Sequence, residues 1–134
     1  MENLTNRIVF QFGSIAMEGL LNDSPTAKAV MAKLPIESVV NLWGNEIYFE
    51  TPVLSQLESK AITDIQMGYI CYWPTARAIC IFFGPTPLSK GNEIVPASPV
   101  NLIGQIVGDP LLLKDVEERE IVKISRKLKR EGQS

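Results

Sequence analysis

Histidine is absent from this 134-residue chain, and cysteine occurs only twice. Without imidazole, every mechanism built on a histidine base is excluded, the Ser-His-Asp and Cys-His arrangements among them. The same scarcity excludes the usual Cys/His zinc sites, because two thiols leave a tetrahedral shell unfinished. Asp-rich loops with calcium- or magnesium-binding spacing are missing as well. The sequence therefore points to no resident metal and no cofactor. No apolar run approaches the length needed to cross a bilayer. The opening residues, Met1-Glu2-Asn3-Leu4-Thr5-Asn6-Arg7, lack the basic and then apolar regions of a secretory leader. The expectation is a cytoplasmic protein that does not engage a membrane.

A net charge of −2 lacks the basic excess of a nucleic-acid binder. Lys123, Arg126, Lys127, Lys129 and Arg130 do cluster near the end. One short basic stretch reads as a solvated, flexible tail over residues 126–134 rather than as a polyanion site. What is there in quantity is apolar: 46% of residues are hydrophobic and 21% charged. That balance suits one globular domain, spanning 1–125, able to bury a core without disulfide or metal staples.

Along the chain, Ile8, Phe10 and Phe12 alternate with Arg7, Val9 and Gln11, the signature of a half-buried strand. Gly13-Ser14 reverses the chain into Ile15–Leu21 to give a first hairpin. Ser24-Pro25 is a helix start, and Ala27, Val30, Met31 and Leu34 form one apolar stripe before Pro35. A helix of about three turns over Pro25–Lys33 follows from that spacing. Ser38–Trp43 and Glu46–Glu50 read as a second hairpin around Gly44-Asn45, a pair suited to a two-residue II′ turn. Thr51–Lys60 is a polar connection. Gly68–Trp73 and Ala78–Phe83 form a third hairpin through Pro74-Thr75-Ala76-Arg77. The stretch 84–99 is proline-rich and aperiodic, and a structureless segment of that length in a compact domain is more often functional than idle. Val100–Val107 and Glu120–Ser125 are further strands, with a helical turn from Asp109-Pro110 between them. The fold class that results is mainly β: a closed antiparallel barrel with one capping α-helix and a short helical turn.

Three segments carry more than generic β sequence: Asn41-Leu42-Trp43-Gly44-Asn45-Glu46-Ile47-Tyr48-Phe49, Gly68-Tyr69-Ile70-Cys71-Tyr72-Trp73-Pro74, and Cys80-Ile81-Phe82-Phe83-Gly84-Pro85-Thr86-Pro87, with Ala97-Ser98-Pro99-Val100-Asn101 behind the last. Together they resemble the small bacterial and archaeal cyclophilin-like family from about Ile8 to Ser125. Thr75-Ala76 departs from the Pro-Gly pair of that pattern, which bears on the shape of one turn. The resemblance implies a closed, cyclophilin-like β-barrel, and for most members no assigned activity. It does not bring prolyl isomerase chemistry with it. True cyclophilins surround the substrate proline with an arginine, aromatics, a glutamine, a tryptophan and a histidine. Here histidine and the Gly-Gly-Asp-Phe segment are both missing, and only Arg77 could stand in for the catalytic guanidinium.

The candidate site follows from where the aromatics fall. Trp43 and Trp73 each end a strand beside a turn, where a ring can cover the mouth of a cavity. Glu46 and Tyr48 follow the Gly44-Asn45 turn, Phe82 belongs to the third hairpin, and Arg77 sits at its tip. Ser98 and Asn101 close the long loop, where the ordinary work of such side chains is to satisfy backbone groups. The expected ligand-binding set is Trp43, Glu46, Tyr48, Trp73, Arg77, Phe82, Ser98 and Asn101, converging on one concavity at the barrel rim. Cys71 and Cys80 fall opposite each other in the third hairpin and are expected as reduced, packed thiols. The leading reading is a module that binds a small molecule or short peptide. A weak isomerase without histidine, and an interaction protein assembling through a strand edge or the long loop, including with copies of itself, are the alternatives.

Overall fold

Alternation of apolar residues dictates the barrel wall strand by strand. In β1 (Arg7–Phe12), Ile8, Phe10 and Phe12 are buried while Arg7, Val9 and Gln11 are not, the period-two pattern of a strand with one face in a core. Gly13 takes a φ of +57°, and β2 (Ile15–Leu21) folds back antiparallel with Phe12 opposite Ile15. Ser24 then starts α1 (Pro25–Lys33), its hydroxyl accepting the Ala27 N–H at 3.2 Å. Ala27 and Val30 join the barrel core, and Met31 and Leu34 pack partly buried against it.

The computed structural model describes residues 6–127. After α1 come β3 (Ile36–Val39), β4 (Asn41–Leu42), β5 (Glu46–Glu50), β6 (Tyr69–Trp73), β7 (Ala78–Phe82), β8 (Asn101–Val107) and β9 (Ile121–Arg126), with 3-10 turns at Pro74–Ala76 and Pro110–Asp115. The strands form one antiparallel sheet in the order β3-β9-β1-β2-β8-β6-β7-β5-β4. Its two end strands are neighbours in the chain, separated only by Val40. That continuity draws the ends together into a nearly closed barrel. Val40 is fully buried; its N–H donates to the Glu120 carbonyl and its carbonyl accepts the Arg119 N–H, both at 2.8 Å.

Two expectations are corrected here. Ser38–Trp43 is not one strand of one hairpin: Ser38 and Val39 pair with β9, whereas Asn41 and Leu42 pair with β5. Periodicity carries no signal for this switch, because barrel closure decides which neighbour each half bonds. At the other end, Arg126 belongs to β9, and Lys127 donates its backbone N–H to Arg7 and its ammonium to Glu18 at 2.6 Å. Arg126 and Lys127 thus belong to the folded domain and not to the expected tail over 126–134; residues 128–134 lie outside the described residues.

Two apolar clusters flank the wall. The interior holds the stacked Phe10 and Phe12 rings, 6.0 Å apart, with Phe49 edge-on to Phe10 at 6.3 Å. A second cluster lies outside: Ile65, Cys71, Cys80, Phe82, Ile94 and Val100. It is covered by the chain segments 61–65 and 84–100, which bridge to each other through Ile62 with Val100 and Ile65 with Ile94. β7 is consequently buried on both faces, which accounts for its unbroken apolar sequence.

The close approach of β2 and β8 depends on Gly104, where a Cβ would stand 2.3 Å from the Leu20 carbonyl oxygen. Gly104→Ala must force these strands apart and is expected to cost about 1–3 kcal/mol. Urea unfolding checks this, and a midpoint equal to that of the parent would contradict the register at this position.

Candidate functional site

Strand parity decides which side chains meet. On β5, Ile47 and Phe49 point into the barrel, so Glu46 and Tyr48 point outward, to the covered side of the wall. Register then sets Glu46 beside Phe82 and Tyr48 beside Cys80, with Cys71 across from Cys80 on β6. The β4–β5 turn is closed by paired bonds between Trp43 and Glu46, of 2.9 and 3.1 Å, and Gly44 has the positive φ that a II′ turn needs. A Cβ on Gly44 would stand 2.8 Å from the Pro87 ring and 3.0 Å from the Thr86 Cα. Only glycine lets the long loop pass so close.

That loop is anchored at both ends. Asn45 donates its N–H to the Pro85 carbonyl at 3.0 Å, and Phe83 donates to the Asn45 carbonyl at 2.9 Å. At the far end the Trp73 indole N–H donates to the Ser98 hydroxyl at 2.9 Å. Between them, the Ser89 hydroxyl accepts the backbone N–H groups of Thr86 and Val95 at 2.9 and 3.2 Å. These bonds, added to the restricted φ of the prolines, make the loop a firm wall.

Beneath it lies a cavity of about 200 Å³. The barrel wall supplies Trp43, Glu46, Tyr48, Trp73, Cys80 and Phe82, and the loop supplies Pro96, Ala97, Ser98 and Val100. The Tyr48 and Trp73 rings meet nearly at right angles, 79°, with centroids 6.1 Å apart, and so form a corner. Glu46 is only 4% exposed. Burial pushes its carboxyl up to about 7 from an ordinary 4.5, against the opposing effect of a hydrogen bond from the Cys80 thiol. Burial likewise holds the Cys80 and Cys71 thiols far above their usual range, with the nearby Glu46 carboxylate adding to it. Neither thiol is a nucleophile at neutral pH.

A sequence model of the family described as cyclophilin-like matches residues 6–125. The chain belongs to the cyclophilin-like family. Among solved structures, it is similar to the solution structure of the hypothetical protein AF2241 from Archaeoglobus fulgidus, at 38% identity and a TM-score of 0.80, over 94% of this chain and 98% of that one. Among curated proteins none matches. Among the described residues of this cyclophilin-like chain, no group of His, Cys, Asp and Glu could hold a metal ion, and no helix is long and apolar enough to cross a membrane.

Of the eight residues expected at one site, the structure brings six together: Trp43, Glu46, Tyr48, Trp73, Phe82 and Ser98. They meet on the outer wall under the loop, not at the rim of the barrel. Arg77 does not join them. It sits exposed with a φ of +53° beyond the 3-10 turn and lines a separate groove with Leu54, Ser55, Gln56, Tyr72 and Pro74. Pro74–Ala76 coil into one 3-10 turn, and that turn carries Arg77 off the side of the sheet where Trp73 lies. Asn101 is also elsewhere: it is 1% exposed, accepts the Glu58 N–H at 2.8 Å, and donates to the Gln56 carbonyl at 2.9 Å and the Thr26 hydroxyl at 3.1 Å. It ties the 51–60 connection to α1. Cys80 was missed as a lining residue, although its parity with Phe82 on β7 was a usable signal; Pro96, Ala97 and Val100 had none.

The raised carboxyl makes a stability prediction. Ionisation of the buried Glu46 adds no cost below its ordinary value of 4.5, adds more as the pH rises from there, and reaches its full cost above 7. Glu46→Gln keeps the shape and removes the charge, so it should stabilise the protein by about 1–3 kcal/mol near pH 8. The gain should fade as the pH falls toward 4.5. Urea midpoints of both proteins across that range test this; a difference that does not change with pH would contradict a desolvated carboxyl.

Proposed function

We propose that this cyclophilin-like domain is a binding module whose ligand, a small molecule or one side chain of a short peptide, enters the outer-wall cavity. The observation that carries the reading is a preformed, mainly apolar cavity with four aromatic rings and one buried carboxylate on its wall. Small-ligand sites combine an apolar lining with a few placed polar groups in this way. At about 200 Å³ the cavity lies below the roughly 300–1,000 Å³ common for drug-sized ligands, which favours a small occupant. Glu46 supports the reading further. A carboxylate that costs the fold stability, and whose hydrogen-bond partner is a thiol, gains from any ligand that offers it a better one.

The same geometry weighs against isomerase catalysis. Among the described residues no guanidinium lines the cavity, and Arg77 faces a different groove. Prolyl isomerisation in a test peptide should therefore proceed at its uncatalysed rate with this protein present. Binding is checked with a library of small fragments followed by NMR of the two indole N–H groups, since both tryptophans of the chain line the cavity. Bound fragments should shift those signals, Ala97→Trp should block the shifts, and Arg77→Ala should leave them intact. Catalysed isomerisation that Arg77→Ala abolishes would overturn this reading.

A further inference from the structure

The groups around the cavity carry information about the charge of its occupant. Its strand-side lining is four aromatic rings, Trp43, Tyr48, Trp73 and Phe82, with the Cys80 thiol and Glu46; among the described residues Glu46 is the only charged side chain of the lining, which holds no lysine or arginine. Aromatic rings present negative faces and attract a cation within about 6 Å of the ring centre, most strongly where water is excluded. An anion here would meet aromatic rings and a buried carboxylate together. A neutral apolar molecule would fit the rings and leave Glu46 without compensation.

The type of cation is narrowed by counting acceptors. A primary ammonium brings three N–H donors and needs an acceptor for each. Side-chain oxygens occur at only three of the ten lining residues, Glu46, Tyr48 and Ser98, and the other seven present rings, a thiol and aliphatic groups, so most of the wall gives an N–H donor nothing to bond. A methylated ammonium has few or no such donors to satisfy. It presents a spread positive charge over an apolar surface, which suits the corner formed by Tyr48 and Trp73 at 79°.

We propose that the cavity takes the head of a small methylated ammonium ion, walled by Trp43, Tyr48, Trp73 and Phe82, with Glu46 as its counter-ion. The inference rests on the binding reading above and adds the ligand's charge to it. The ion supplies what Glu46 lacks, an opposite charge in the same low-dielectric space. Binding is then linked to the ionisation of Glu46, which the free protein holds near 7. The titratable groups facing that carboxylate are Cys80 on β7, Cys71 on β6 and Tyr48 on its own strand. Both thiols stay neutral through this range, so it is the carboxylate and neither thiol that sets the pH dependence.

The test compares choline with 3,3-dimethylbutan-1-ol, its neutral isostere, by tryptophan fluorescence and calorimetry on the full chain. Choline should bind at least about tenfold more tightly than the alcohol near pH 8. The preference should shrink by about tenfold near pH 5.5, where Glu46 is protonated, and in Glu46→Gln it should stay at that smaller value at both pH values. Thermal unfolding of that variant confirms that it is folded. An alcohol that binds as tightly as choline would overturn the cation assignment while leaving the binding reading standing. If neither compound binds, the cation assignment falls, and the fragment library then shows whether the binding reading falls with it.

Discussion

The burial of β7 on both of its faces is the constraint from which the rest of this structure follows. Ala78–Phe82 sends Ile79 and Ile81 into the barrel and Cys80 and Phe82 to the outside, and all of them are shut off from water. A barrel wall ordinarily needs apolar residues on its inner face alone. Here the outer face is apolar as well, so something must cover it, and the segments 61–65 and 84–100 do so. The cover is imperfect at one place, and that imperfection is the cavity. Its floor is rigid sheet and its roof is a loop pinned at Gly44 and at Ser98. A site assembled from such parts exists before any ligand arrives, which lowers the cost of binding.

Much of this was legible in the sequence, and the part that was not has a common cause. Alternation in Arg7–Phe12, the Ser24-Pro25 helix start, the Gly44-Asn45 turn and the pairing of Cys71 with Cys80 are local signals, and each held. The cyclophilin-like resemblance rested on joint motifs that the family match now covers from residue 6 to 125. Trp43, Tyr48 and Trp73 were traceable because strand ends and parity are local too. What escaped depends on closure in three dimensions. The partner switch at Val40 and the use of Asn101 as a brace for Thr26, Gln56 and Glu58 each involve residues far apart in the chain. The unbroken apolar run of β7 was itself a signal for a second cover, since a strand exposed on one side would alternate.

Glu46 stands against this background as the group that packing does not explain. Asn101 is polar and buried as well, but it meets partners that satisfy it. Glu46 is enclosed with a thiol, and burial raises its carboxyl to about 7. A fold optimised for stability alone would place an apolar residue there. The cost makes sense if the carboxylate is used, and a ligand bearing positive charge is the occupant that would relieve it.

The most direct measurement of this account is the titration of the Glu46 side-chain carboxyl carbon by NMR in the ligand-free protein. The midpoint expected is about 7, set by desolvation in the cavity. A midpoint at the ordinary 4.5 would mean that water reaches the carboxylate freely, and would contradict the enclosed, charge-bearing site on which the functional reading rests.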